Sequence, residues 1–183
     1  MTPAVDAAHP VRGVVVPIVA IGAAGVPGGM LWARWADPAA YAVTRMRATL
    51  DEEQLGRYFG VEVRYAVIGL VVGFVVAAAS TVWLRRAGWP LVVGVSLGAV
   101  AAAAVSYQVG VALGPPDVDI KRAAAGGTPG EAISVPLEVQ TPGMFLAWEV
   151  GGLLGLLLVV SVTDRDRPVS RARHLHLPDL PRN

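Results

Sequence analysis

Four sets of residues in this chain have the types and spacing to do chemistry. Gly94-Val95-Ser96-Leu97-Gly98 spells G-x-S-x-G, the pattern in which serine hydrolases expose a nucleophile. Asp117-Val118-Asp119 sets two carboxylates two residues apart, as in metal-dependent sugar-transfer enzymes. His174 and His176 stand two apart in a basic tail. Glu149 lies inside an apolar run, while Arg34, Arg64 and Gln108 end neighbouring apolar runs at similar depth.

Each set has a plainer reading. The nucleophile pattern works only on a sharp strand-to-helix turn with a histidine and an acid in reach. Here it sits within a long apolar run, and His9, His174 and His176 all lie in the tails. With 21 glycines in the chain, the match follows from composition. Asp117 and Asp119 would share one solvated face of a strand, with no third ligand visible. The expectation is therefore a protein with no catalytic, cofactor-binding or metal residues, which is not an enzyme. Carboxylates inside membranes are costly and often functional. Arg34, Arg64, Gln108 and Glu149 are expected to form a polar cluster at the external membrane face, an interfacial ion-pair or hydrogen-bond network. Ligand or ion recognition is the second reading.

The elements that must carry these residues follow from charge. Hydrophobic residues make up 54% of the chain and charged ones only 16%, against about 25% in an average soluble domain. The chain has no cysteine and a formal net charge of +1, which excludes a disulfide scaffold and gives no footing for nucleic acid. Crossing a bilayer takes roughly 20 apolar residues as a helix. Four stretches qualify: about 13–33, 63–84, 89–113 and 144–163. None shows the apolar–polar alternation of a membrane β-barrel. The first resembles a signal peptide but continues to Met30, Leu31 and Trp32, long enough to be retained as a span. Pro27 predicts a kink there. Trp32, Trp35, Trp83, Trp89 and Trp148 all fall at span ends, where indoles favour the headgroup level.

The fold expected is an all-α membrane protein, a four-transmembrane-helix bundle over residues 13–163. A cytoplasmic N-terminal tail covers 1–12, and a disordered cytoplasmic tail, suited to anionic headgroups, covers 164–183. Even span number puts both termini beside the Arg85-Arg86-Ala87-Gly88 turn. That short turn and the Arg-rich exit after Thr163 favour the cytoplasm for this side. Loops 36–62 and 114–143 are then external and form a small extracytoplasmic cap. In the first, Asp37-Pro38 reads as a helix start, Val43, Met46 and Leu50 as an apolar stripe, and Thr49 with Glu52 as a capping box for a second short helix. In the second, Val118 and Ile120, then Ile133, Val135, Leu137 and Val139, alternate with polar residues around the turn-forming Gly126–Gly130 segment, which reads as a β-hairpin.

Each span also holds glycines four apart: Gly25/Gly29, Gly69/Gly73, Gly94/Gly98, Gly110/Gly114 and Gly151/Gly155. Such stripes let helix backbones approach closely. Packing within the bundle comes first as their role and homo-oligomerisation second.

Leu31-Trp32-Ala33-Arg34-Trp35-Ala36-Asp37-Pro38, the Trp83-Leu84-Arg85-Arg86-Ala87-Gly88 turn, Leu113-Gly114-Pro115 and Trp148 resemble a family. It is an actinobacterial family of small four-span membrane proteins, classed as a domain of unknown function. The resemblance covers about residues 12–163 and implies no activity. The function expected is that of a non-enzymatic plasma-membrane protein, an accessory or assembly component of the cell envelope. Its partners would be the lipid bilayer and an envelope protein met through the cap. A subunit of a small-molecule transporter or channel is the alternative.

Overall fold

Where no water competes for backbone groups, an apolar run satisfies its own N–H and C=O groups as a helix, and this chain does so four times. The computed structural model describes residues 8–44, 47–49, 52–85, 87–116 and 132–165. The long helices are α1 (Ala8–Trp35), α2 (Glu52–Trp83), α3 (Trp89–Leu113) and α4 (Leu146–Arg165). Each contains a candidate membrane span: Val11–Trp35, Phe59–Trp83, Trp89–Leu113 and, with the 3-10 turn Pro142–Phe145 that precedes α4, Pro142–Thr163. These make the protein a multi-pass membrane protein by length and composition. α1 runs unbroken through Pro17 and Pro27. It also starts earlier than the expected tail boundary, while the chain beyond residue 165, with His174 and His176, lies outside the described residues.

α1 packs chiefly on α3 and α2 on α4, with lighter α1–α2 and α3–α4 seams, so the order around the bundle is α1, α3, α4, α2. Both tight pairs are parallel. The reason is glycine. A Cβ at Gly94 would stand 2.7 Å from the Val14 carbonyl oxygen, one at Gly25 2.6 Å from that of Ala102, and one at Gly98 2.8 Å from that of Pro17. Gly29 abuts the Ser106 oxygen in the same way. In the second pair, Gly73 faces the Trp148 oxygen, Gly151 that of Leu70, Gly155 that of Phe74, and Gly69 the Trp148 indole. The Gly94–Gly98 stretch is thus continuous helix packed on α1, not a nucleophile-bearing turn.

One end of the bundle carries the short turn between α2 and α3. Gly88, at φ 68°, makes this reversal, a left-handed conformation that glycine adopts without strain. Gly13 approaches Ala87 there, and Thr163 lines a pocket with Gly88 and Trp89, so α1 begins and α4 ends at this turn end. Buried hydroxyls in the last turn of α2 fold back onto carbonyls four residues earlier: Ser80 donates to Val76 at 2.8 Å, and Thr81 to Ala77 at 2.7 Å.

The opposite, loop end departs from expectation. Residues 36–49 hold no helix among those described. Instead β1 (Ala40–Thr44) pairs antiparallel with β2 (Arg47–Thr49), Thr44 opposite Arg47. Asp37-Pro38 starts no helix. The helix expected near Thr49 begins at Glu52 and continues into the second span. β3 (Ala132–Ser134) pairs with the other edge of β1, with Tyr41 opposite Ile133, giving the order β2-β1-β3. The first arm of the expected hairpin, including Asp117, Val118, Asp119 and Ile120, lies outside the described residues. The alternation downstream is visible in burial: Ile133, Val135, Leu137 and Val139 are buried while Ser134, Glu138 and Gln140 are exposed. Leu137 and Val139 join the core beside Val61 and Trp32. An ion pair of 3.5 Å between Arg57 and Asp37 ties α2 to the segment leaving α1. Half-exposed on both sides, it contributes at most about 1 kcal/mol.

The tryptophans divide. Trp35, Trp83 and Trp89 are exposed, as headgroup-level residues should be, but Trp32 and Trp148 are fully buried. Glycine opens the space: Gly110 lies against the Trp32 ring, and Gly28 and Gly69 flank Trp148. These two indoles are core, not interface anchors.

Candidate functional site

The site begins with how α4 is started. Pro142 lacks an N–H, and Thr141 makes no side-chain cap for the 3-10 turn. The missing acceptor comes from α2. Glu62, 5% exposed, accepts the Gln140 N–H at 2.7 Å and the Thr141 N–H at 3.2 Å. Below it the interior is bolted by aromatic groups. Trp32 Nε1 donates to the Val61 carbonyl at 2.9 Å, and the Tyr65 hydroxyl donates to that of Ala103 at 2.8 Å. Tyr65 meets the Trp32 and Phe145 rings edge-on, and Phe145 also meets Tyr107. Trp148, Val95, Ala99 and Ala77 fill the axis beneath.

This packing leaves the light seam between α3 and α4 open to the side. A groove of about 670 Å³ runs there from Ser96 to Gln108. Its walls are Leu97, Val100, Ala103, Ala104 and Tyr107 on α3, with Phe145 and Leu146 opposite. Glu149, in the first turn of α4, is the only acid bordering it among the described residues. The positive end of the helix dipole suits a carboxylate at that position. Glu149 Oε2 is nevertheless closed off from solvent and has no hydrogen-bond partner.

The four expected cluster residues are therefore not gathered. Gln108 and Glu149 border one groove, and Arg34 and Arg64 do not. Helical geometry, at 100° per residue, gives the reason. Arg64 stands opposite Gly73, the residue that faces α4, and Glu149 stands about 160° from Gly151, which faces α2. The two charges point to opposite sides of the bundle. Arg34 is exposed, 180° around α1 from Gly25 and so turned away from α3. Arg64 Nη1, like Glu149 Oε2, is buried without a partner. Among the described residues no three of His, Cys, Asp and Glu come together as metal ligands.

Sequence reasoning missed Glu62 and the aromatic bolt. A proline following a threonine at the head of the fourth apolar run signals a helix start in need of an acceptor, but that acceptor, Glu62, lies 78 positions before Gln140. Compared with protein-family models, curated protein sequences and solved structures, the chain matches none. What the fold and site define is a class: a multi-pass membrane protein with four candidate spans, a core filled by aromatic and small side chains, and a lateral groove bordered by Glu149.

Proposed function

We propose that this chain is a non-enzymatic accessory or assembly component of the cell envelope, residing in the plasma membrane with both termini cytoplasmic. Its loop end, with the small sheet and the mouth of the α3–α4 groove, meets a partner protein outside. The family resemblance over residues 12–163 belongs to this reading and assigns no activity. One observation carries it: among the described residues the unpartnered charged groups, Arg64 Nη1 and Glu149 Oε2, lie on helix faces turned away from the tight pairs, while the interior is filled by Trp148, Val95, Ala99 and Ala77 and holds only the neutral Ser106 hydroxyl and Trp148 indole N–H as unpartnered polar atoms. A transport path needs polarity along the axis; lateral polarity suits lateral assembly.

Photo-crosslinking residues placed at the exposed Gly56 and Glu138 test this in living cells. The expected result is one membrane or envelope protein captured from both positions. Only monomer, with no protein captured, would overturn the proposal. Liposome flux that disappears with Glu149→Ala would instead put a transporter subunit first.

A further inference from the structure

Among the described residues, Glu149 stands deeper in the bundle than any cation of its own loop end. Gly151 abuts the Leu70 carbonyl oxygen, and a Cβ on Gly152 would lie 3.2 Å from Val95 and 3.8 Å from Ala99. With Gly73 set against the Trp148 carbonyl oxygen, Glu149 is therefore level with about Val71 on α2 and Val100 on α3. Arg64 is about two turns, roughly 10 Å, nearer the loop end, and Gln108 likewise about two turns, roughly 12 Å. Arg34 lies in the last turn of α1, further out still. Side chains lean toward the N-terminus of their helix, the loop end for both α2 and α4, so the lean shifts Arg64 and Glu149 alike and leaves their separation unchanged. The remaining span cation, Arg12, is at the turn end.

A carboxylate at this depth is expensive unless something meets it, and the supply of counter-groups is narrow. The described residues of a second copy of this chain present no cation at that level. Lipid ammonium groups sit at the headgroup surface, above Gln108. A transmembrane helix can carry a basic side chain to any chosen depth. The groove also has the right shape. Its α3 wall, from Ser96 to Gln108, is about 18 Å long, more than half of a roughly 30 Å hydrocarbon core. Ala103 and Ala104 keep one stretch of it low, as close helix approach requires.

The geometry points to the α3–α4 groove as the docking site for one transmembrane helix of a partner protein, a helix carrying Lys or Arg opposite Glu149. This rests on the assembly reading above and names the chemistry of the partner's contact.

Full-length protein in phosphatidylcholine liposomes, labelled through a cysteine introduced at Glu138, can be titrated with acceptor-labelled Leu/Ala host helices. One helix carries a single Lys two turns below its loop-side end, and the controls carry Leu or Glu there. The Lys helix should bind about tenfold more tightly than the Leu helix. Glu149→Gln, which keeps the side chain's shape, should remove that preference, and Glu149→Lys should transfer it to the Glu helix. Equal binding of Lys and Leu helices, or a preference that survives Glu149→Gln, overturns the proposal. So does energy transfer between copies of the protein that Glu149→Gln abolishes, which makes a second copy the occupant. Loss of Lys-helix binding when phosphatidylethanolamine replaces phosphatidylcholine makes a lipid the occupant and likewise overturns it. Crosslinks from Gly56 and Glu138 report on the assembly reading separately, so each can fail alone.

Discussion

Removing the Glu62 carboxylate should loosen the fourth helix before it disturbs the other three. Glu62 is buried on α2 and accepts two backbone N–H groups at the head of α4, at 2.7 and 3.2 Å. A hydrogen bond to a charged acceptor contributes about 1.5–3 kcal/mol net. Gln140 and Thr141 are themselves exposed, so water recovers part of what is lost. For Glu62→Ala the balance is about 2–4 kcal/mol. Glu62→Gln keeps one oxygen able to accept and should cost about half as much. At roughly 2–4 °C per kcal/mol for a chain of this size, the Ala variant should melt roughly 4–16 °C lower. Thermal scanning of tryptophan fluorescence in detergent micelles measures this directly, because Trp148 lies in α4's second half-turn and is fully buried. An Ala variant that melts with the wild type, and ahead of no Gln variant, would refute the capping role.

Three further outcomes follow from the packing. Gly151→Ala drives a methyl into the Leu70 carbonyl and should destabilise the bundle by about 2–3 kcal/mol, whereas Gly143→Ala, with nothing within 4 Å, should be neutral in the same melting assay. Trp32→Phe removes the indole's bond to the Val61 carbonyl, which keeps its place in the α2 hydrogen-bond ladder, and should cost about 0.5–1.5 kcal/mol without changing oligomeric state on a sizing column. In proteoliposomes, brominated-lipid or acrylamide quenching should reach the exposed Trp35, Trp83 and Trp89 and spare Trp32 and Trp148, read from variants that each retain one tryptophan.

The helices were legible in the sequence because the cause is local. A run without charge in lipid has only its own backbone to bond with, so span 89–113 is read to the residue and the others to within a few positions. Small residues four apart mark surfaces for close approach, but not which helix approaches: that Gly25 meets Ala102 and Gly151 meets Leu70 depends on the order around the bundle. The loop between α1 and α2 was misread because Val43, Met46 and Leu50 fit a helical spacing over a stretch too short to separate the two periods. The competing signal was the partner, β3, which lies some ninety positions downstream and offers Ile133 to Tyr41. Trp32 and Trp148 were placed by their position along a span, and position along a helix says nothing of which way a ring faces. For the same reason Arg34, Arg64, Gln108 and Glu149 looked like one cluster: their place in the loop-end half of the spans was legible, and their azimuths and the turns of depth that separate them were not.

Four crossings with both ends on one side is the claim everything else stands on, and the absence of cysteine makes it directly measurable. Single cysteines at the exposed positions Arg12, Arg85, Gly56 and Glu138 would be challenged in intact cells with a membrane-impermeant maleimide. Gly56→Cys and Glu138→Cys should label at once, and Arg12→Cys and Arg85→Cys only after the membrane is permeabilised. Labelling that separates Arg12→Cys from Arg85→Cys, or Gly56→Cys from Glu138→Cys, would contradict the four-span account.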